Sequence, residues 1–369
     1  MKKIICYTKF KLDSFGDGGS RRSVQIRNLL VEKGIAFEDD DFALPKDMPR
    51  GQLLRWTIRA IKFVKQHYPK KQIKSLLDYI QLIKYCALRL PSVYDKYVQQ
   101  DVVFLWENTA DQDMLYLLKA TGHSVFALPH NIESLVASHS VDALAREVLN
   151  LQYCDGVFAI SKEETWLLRL LGVNAYYLPY FPSKVVEMHM LSIRKRRELR
   201  RANERKKYLL LGSASNYPTR KGMQMMLDAA ASRPIPFNLG VAGYRTNSLR
   251  VPQRTGIAYY GAVTNEVLDG ILEETDAVLI FQPPTTGALT RIPEMLLAGI
   301  PVFVNFDAGR NYMDLSDVHL YDSFEDLFAV LENFVPYQTE PLHRDVGSEN
   351  RFVTTIMQCR DLVNYASRT

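Results

Sequence analysis

The 369-residue chain has no run of about 18 uncharged apolar residues, so a membrane-spanning helix is not expected. Its opening, MKKIICYTKF, turns polar too soon for a secretory signal, and a cytoplasmic location is the expectation. Cysteine is scarce: Cys6, Cys86, Cys154 and Cys359 stand singly, without the C-x-x-C spacing of a zinc site or the density of a disulfide framework. They are expected to be small core residues. The dinucleotide fingerprint G-x-G-x-x-G, the phosphate loop and the G-x-S-x-G nucleophile elbow are also missing. No second histidine or carboxylate stands at metal-ligand spacing beside His130, so no metal is expected.

What is there suits a soluble globular protein: 47% of residues are hydrophobic and 24% charged. The length is too great for one ordinary core and fits two domains of roughly 150 to 200 residues. The net charge of +5 is unevenly spread, since residues 46–100 hold twelve Lys/Arg against three acids and residues 184–207 hold ten against three. The remainder is therefore acidic.

Short apolar runs alternate with helical periodicity: KKIICYT, DVVFLWE, SVFALPH and GVFAIS in the first half, then YLLLGSA, FNLGVAG, AVLIFQP and PVFVNF. Buried parallel strands and two doubly wound α/β domains follow from this pattern. Ligands in such sheets bind beyond the carboxyl ends of the strands. The boundary is placed in YFPSKVVEMHM, giving an N-terminal domain over 1–183, completed by a final amphipathic helix over 350–369, and a C-terminal domain over 184–349.

Four loops hold the candidate chemistry. After the first strand, Gly16, Gly18 and Gly19 allow a tight turn before a helix expected to begin near Ser20, either as a plain turn or as an anion or sugar site. Arg220 and Lys221 stand at the mouth of a helix after LLLGSASNYPT, as a solvated pair or as ligands of a diphosphate. In TTGALTRIPEMLLAGIPV, Gly287 loosens the loop, the amides of Ala288, Leu289, Thr290 and Arg291 lie near a helix start, and Glu294 lies one turn in. That acid either favours the helix dipole or accepts hydrogen bonds from ribose hydroxyls. Lastly, LPHNIES puts His130 and Asn131 at the end of the strand VFAL, where a structural and a functional histidine are both admissible.

With these residues in order, the chain resembles the retaining GT-B glycosyltransferases of the nucleotide-sugar-dependent family 4 type, over nearly its whole length. The resemblance is carried by GDGGSRRSVQIRNLLVEKG, LPHNIES and AISKEETWLLRLLGV, then by LLLGSASNYPTRKGM, YYGAVTNEVLDGILEETDAVLI and GALTRIPEMLLAGIPV. It implies two Rossmann-like domains facing a cleft, with the donor held mainly by the second. It further implies metal-independent transfer with retention and no resident cofactor, the nucleotide sugar, UDP- or GDP-linked, being a co-substrate. Lys221 and Arg220 would grip the diphosphate, Glu294 the ribose, and His130 would lie near the transferred sugar, with Asn131 and Thr286 lining its pocket. Gly18 and Gly19 would match the loop that approaches phosphate and acceptor. Two departures stand out: Thr286 occupies the position of the family's first acid, and Ser213 that of an arginine, for which Arg291 is expected to compensate.

Two basic segments remain. QLLRWTIRAIKFVKQ, residues 52–66, sets Arg55, Arg59 and Lys62 on one helical face and Leu54, Ile58, Ile61 and Val64 on another, which suits an anionic membrane surface or an outer helix with a solvated face. RKRRELRRANERKK lacks interleaved aromatics and is expected to be an interdomain helix, and no nucleic-acid reader motif is present. The sequence therefore leads to a cytoplasmic or membrane-peripheral glycosyltransferase acting on a glycan or lipid-linked acceptor in polysaccharide or glycolipid synthesis. A non-catalytic nucleotide-sugar or glycan binder and a sugar-nucleotide epimerase are the alternatives.

Overall fold

The computed structural model describes residues 3–43, 49–69, 73, 75–137, 140–199, 205–253 and 255–366. It divides into two compact units, one of residues 1–11, 26–179 and 345–369, the other of residues 12–25 and 180–344. The division thus runs between Pro179 and Tyr180, and it assigns the glycine-rich loop of residues 12–25 to the second unit.

In the first unit a six-stranded parallel sheet is built from β1 (Lys3–Tyr7), β2 (Phe37–Asp39), β3 (Val102–Trp106), β4 (Ser124–Ala127), β5 (Gly156–Ala159) and β6 (Ala175–Tyr177), in the order β2-β1-β3-β4-β5-β6. Its helices are α1 (Gly18–Glu32), whose first turns belong to the second unit, α2 (Arg50–His67), α3 (Leu76–Arg89), α4 (Tyr94–Tyr97), α5 (Gln112–Ala120), α6 (Glu133–Ala137), α7 (Val141–Tyr153) and α8 (Lys162–Leu170).

The main part of the second unit opens with α9 (Lys184–Glu198). Then come β7 (Lys207–Leu211), α10 (Tyr217–Ala231), β8 (Asn238–Ala242), β9 (Ile257–Gly261), α11 (Asn265–Glu274) and β10 (Ala277–Ile280). After these follow α12 (Arg291–Leu297), β11 (Val302–Asn305), α13 (Phe306–Gly309), β12 (Val318–Tyr321) and α14 (Phe324–Asn333). Its parallel sheet runs β12-β11-β10-β7-β8-β9. The last helix, α15 (Val346–Ala366), returns to the first unit.

The two parallel sheets make the architecture α/β, and the sequence explains why. Strands covered on both faces need continuous apolar runs, and VVFLW of β3 and AVLI of β10 are buried at every position. Successive residues point to opposite faces: Ile5, Tyr7, Phe104 and Trp106 join one core, Ile4, Cys6, Val103 and Leu105 the other. The second core also takes Phe352 and Ile356 of α15, Phe352 meeting Phe158 edge-on at 4.9 Å. In the second unit Gly222 of α10 permits close helix-to-strand packing, because a Cβ there would overlap the carbonyl oxygen of Phe281.

The basic segments resolve differently. On α9, Arg194 donates to the carbonyls of Leu297 (2.9 Å) and Leu296 (2.5 Å) at the end of α12, and Arg197 to that of Leu272 (2.8 Å) in α11. Cations at helix carboxyl ends satisfy orphan carbonyls and the dipole together, so this helix is an internal brace of the second unit. Residues 200–204 lie outside the described residues. On α2 the expected apolar stripe divides: Val64 is buried, but Leu54 and Ile58 are 65% and 54% exposed. Ala60 and Phe63 supply the rest of the packed face. Among the described residues no helix is long and apolar enough to cross a membrane.

One carboxyl group opposes the fold. Asp113, in the first turn of α5, is desolvated by burial and lies near Asp111, which also accepts hydrogen bonds from Tyr7 (3.0 Å) and Tyr85 (2.7 Å). Burial first, and the Asp111 charge second, push its pKa up to about 6. A raised carboxyl pKa means that the folded state keeps a proton the unfolded chain has lost, so this group's contribution turns unfavourable as pH rises from about 4 through about 6. Asp113→Asn is expected to raise unfolding free energy by about 1–2 kcal/mol near pH 8 and to do little near pH 4. Urea denaturation at both pH values checks this, and no gain near pH 8 refutes it.

Candidate functional site

In the second unit the polar groups gather at the carboxyl end of β7. Gly212 follows that strand, and a Cβ there would overlap Arg291 Nη1 and lie 2.7 Å from Thr219 Cγ2. The bare glycine therefore makes room for a guanidinium beside the first turn of α10. Arg291 opens α12; its Nη1 donates to the carbonyl of Leu211 at 3.0 Å, while Nε is buried without a hydrogen-bond partner. No acid pairs with it among the described residues, and burial pushes its pKa down to about 10. A desolvated cation without a counter-charge is unfavourable, and an anionic ligand relieves it.

Arg220 and Lys221 are exposed on α10, Arg220 lying over the ring of Tyr217 at 5.7 Å. The helix start beside them is capped, because the Asn216 side chain accepts from the Thr219 amide at 3.2 Å. Ser213 is hydrogen-bonded to Ser215 at 2.6 Å.

Glu294 is only 2% exposed, and both of its oxygens are engaged. Arg21 of α1 donates to Oε2, and the Tyr180 hydroxyl donates to Oε1 at 2.8 Å. Burial alone would lower the pKa of Arg21, yet the Glu294 carboxylate beside it raises it on balance. The Tyr180 hydroxyl is driven well up, by burial first and then by Glu294. The carboxylate is thus more than a dipole partner of α12.

The loop before α12 is fastened at Gly287, whose φ of +82° suits glycine and whose carbonyl accepts from Arg310 (2.7 Å) and Asn311 (3.2 Å). Ala288 and Leu289 are half-buried against the core, and Thr286 is half-buried. Thr290 caps α12 without a side-chain hydrogen bond and lies against Gly18, where a Cβ would sit 3.3 Å from its Oγ1. Gly18 is exposed and Gly19 half-buried. The helix α1 starts at Gly18 rather than near Ser20, and the Asp17 carboxylate accepts from the Ser20 amide at 2.8 Å. A negative cap at that mouth disfavours an anion there.

In the first unit, His130 and Asn131 follow β4. His130 Nε2 lies 3.6 Å from Glu107 Oε2, and its ring stacks on Phe10 at 4.6 Å with planes 14° apart. Glu107 Oε1 accepts from Arg27, which also donates to Asp39 at 2.9 and 2.6 Å. The side chains of Glu107 and Arg27 are 0% and 7% exposed. Burial works to lower the Arg27 pKa, but Glu107 and its other neighbours raise it on balance. Cys6, close by, is pushed up to about 12 by burial.

Sequence reasoning overlooked Glu107, Arg27, Phe10, Arg21 and Tyr180. Glu107 was findable, since it follows VVFLW directly, as His130 follows its own strand. Among the described residues no group of three or more His, Cys, Asp or Glu side chains is placed to hold a metal.

No protein-family model and no curated protein sequence matches the chain. Solved structures do match in fold. HepE of Anabaena in complex with UDP aligns over 100% of both chains, at 12% identity and a TM-score of 0.57. Sucrose-phosphate synthase from Thermosynechococcus elongatus aligns over 100% of this chain and 98% of its own, at 14% identity and a TM-score of 0.55. An E. coli structure described as trehalose-6-phosphate bound with UDP-2-fluoro glucose aligns over 99% and 96%, at 10% identity and a TM-score of 0.58. The fold shared with these structures is GT-B.

The contact between Arg21 and Glu294 yields a stability test. Removing one member strands a buried charge, at about 3–5 kcal/mol for a fully buried pair, whereas replacing both with apolar residues of similar size is nearly neutral. Arg21→Ala is expected to cost about 2–4 kcal/mol, and Arg21→Met with Glu294→Met considerably less. A loss below about 1 kcal/mol for Arg21→Ala, measured by urea unfolding, would show that the pair is open in solution.

Proposed function

We propose that the protein is a retaining glycosyltransferase that moves a sugar from a nucleotide-sugar donor, UDP- or GDP-linked, to a glycan or lipid-linked acceptor. The observation that carries this reading is Arg291: a half-buried arginine whose Nε is buried without a hydrogen-bond partner and which has no carboxylate partner among the described residues, beside the first turn of the helix that bears Arg220 and Lys221. A cation at the end of β7 and two more on the helix that follows suit a diphosphate leaving group, on which charge develops during transfer. Arg291 then supplies the charge that Ser213 lacks. Lys221 and Arg220 take further phosphate oxygens, Gly18 and Gly19, whose helix mouth Asp17 occupies, serve the acceptor, and the loop from Gly287 to Thr290 lines the donor. In the first unit His130 and Asn131 are assigned to the sugar; in the second, Thr286 belongs to the sugar end of the donor loop.

Ribose at Glu294 requires Arg21 to yield an oxygen, because both are taken. The nucleotide sugar is consumed as a co-substrate, with no resident cofactor. HepE and the E. coli structure, described with UDP and UDP-2-fluoro glucose respectively, make uridine the first base to test.

Thermal shift against UDP-, GDP-, ADP- and CMP-sugars tests the reading, since a ligand at 100 times its Kd stabilises by about 2.7 kcal/mol. A shift with a UDP- or GDP-sugar is expected, with affinity falling at least about tenfold in Arg291→Ala and in Lys221→Ala. No shift with any donor, or full affinity in Arg291→Ala, would sink it. Thr286 in place of an acid favours a second reading, a binder without turnover; donor binding with no transfer or hydrolysis would select it.

The acceptor side supports a peripheral membrane role in polysaccharide or glycolipid synthesis. Leu54 and Ile58 of α2 and Leu77 and Ile80 of α3 are exposed together with Arg55, Lys62 and Lys65. Exposed apolar side chains on helices that also expose cations suit an anionic lipid surface. Lys46, Lys70, Lys71 and Lys74 of the same basic segment lie outside the described residues. Co-sedimentation with anionic vesicles is expected, at least about threefold weaker in Leu54→Glu/Ile58→Glu; equal binding of that variant would refute the role.

A further inference from the structure

We propose that Arg310 reads the donor sugar, and that this sugar carries a carboxylate, as in a nucleoside-diphosphate uronic acid. The inference rests on the function proposed above, which makes the loop after β10 a wall of the donor site. That loop, from Gln282 to Thr290, contains no charged side chain. Arg310 is the cation set against it: its Nη2 donates to the carbonyl of Gly287 at 2.7 Å, and its Nη1 to the carbonyl of Asp307.

Both partners are neutral carbonyl oxygens, and among the described residues no carboxylate oxygen lies within ion-pair distance of this half-buried side chain. A guanidinium has five N–H donors in a fixed fork, and two are accounted for, so donors remain for a ligand. A carboxylate matches that fork with two oxygens and a full charge, whereas a sugar hydroxyl offers neither.

Its place in the sheet separates this cation from those assigned to the diphosphate. In the order β12-β11-β10-β7, β10 lies between the strand whose last carbonyl Arg291 meets and the strand that Arg310 follows by way of α13. With Arg291, Arg220 and Lys221 taking the diphosphate on the β7 side, the β11 side is left for the sugar.

Matched donor pairs test this, because base and diphosphate cancel in the ratio. Dissociation constants measured by calorimetry near pH 7 are compared for UDP-glucuronic acid with UDP-glucose, UDP-galacturonic acid with UDP-galactose, and GDP-mannuronic acid with GDP-mannose. In at least one pair the carboxylated donor is expected to bind at least about tenfold tighter. Arg310→Gln is expected to bring that ratio within about threefold, and Arg310→Lys, which keeps the charge but not the fork, to fall between. A mere loosening of the loop would weaken both donors of a pair and leave the ratio alone.

A ratio near one in every pair overturns the proposal, and so does a preference that survives in folded Arg310→Gln. If that variant does not fold, Thr286→Glu decides, since it places a negative charge on the loop and keeps Arg310. It is expected to cut the preference at least about fivefold, and an unchanged ratio overturns the proposal. Binding of none of the six donors defeats the functional reading itself, so the two failures are distinct.

Discussion

A guanidinium taken out of water must be given carboxylates or carbonyl oxygens to lie against, and that requirement organises both halves of this protein. In the first unit Arg27 lies between Asp39 and Glu107, tying β2, α1 and the end of β3 together. In the second, Arg194 and Arg197 close the carboxyl ends of α12 and α11, and Arg21 meets Glu294. Each contact converts an unfavourable burial into a constraint on where an element sits. Arg291 breaks the pattern: its single hydrogen bond is to the carbonyl of Leu211, and burial depresses its pKa to about 10. Arg27, Arg194, Arg197 and Arg21 are compensated in this way and Arg291 is left short, which on the function proposed above suits an anion from outside.

The same principle explains why the candidate residues are rigid. Parallel strands put their carboxyl ends at one edge of each sheet, so the residues that follow β1, β3 and β4 converge without long loops. Phe10, Glu107 and His130 are these residues, and the charge ladder Asp39, Arg27, Glu107 fixes the middle one from behind. In the second unit the residues after β7 and β10 converge likewise, with Gly212 small enough to admit Arg291.

Much of this was legible in the sequence, and the gaps have physical causes. The strands were plain because burial on both faces demands uninterrupted apolar runs. Glu294, His130 and the cations of α10 were located by their position after strands or at helix starts. The basic run of α9 was harder, because the partners of Arg194 and Arg197 are backbone carbonyls, which charge counting cannot reveal. On α2, periodicity indicated which residues share a face but not how far the face is covered, so Leu54 and Ile58 emerged exposed. The start of α1 moved from Ser20 to Gly18 because Asp17 caps it, and an aspartate ahead of glycines reads equally well as loop. Ion pairs such as Arg21 with Glu294 join residues 273 apart in sequence, and local pattern does not report them.

The phosphate end of the proposed donor site draws these threads together. A capped α10 and an α1 mouth occupied by Asp17 leave little of the helix-terminus attraction that glycine-rich loops usually supply. The attraction must then come from side-chain cations, and the chain has Ser213 where its resemblance implies an arginine. Arg291 belongs to the same helix as Glu294, so phosphate and ribose contacts on this reading move as one rigid piece. Arg21, once it gives up Glu294, brings a second guanidinium from the glycine loop of the same unit. Binding of the nucleotide would thus exchange an internal ion pair for a ligand ion pair. Donor affinity is then the difference between two charge-assisted contacts rather than the strength of one.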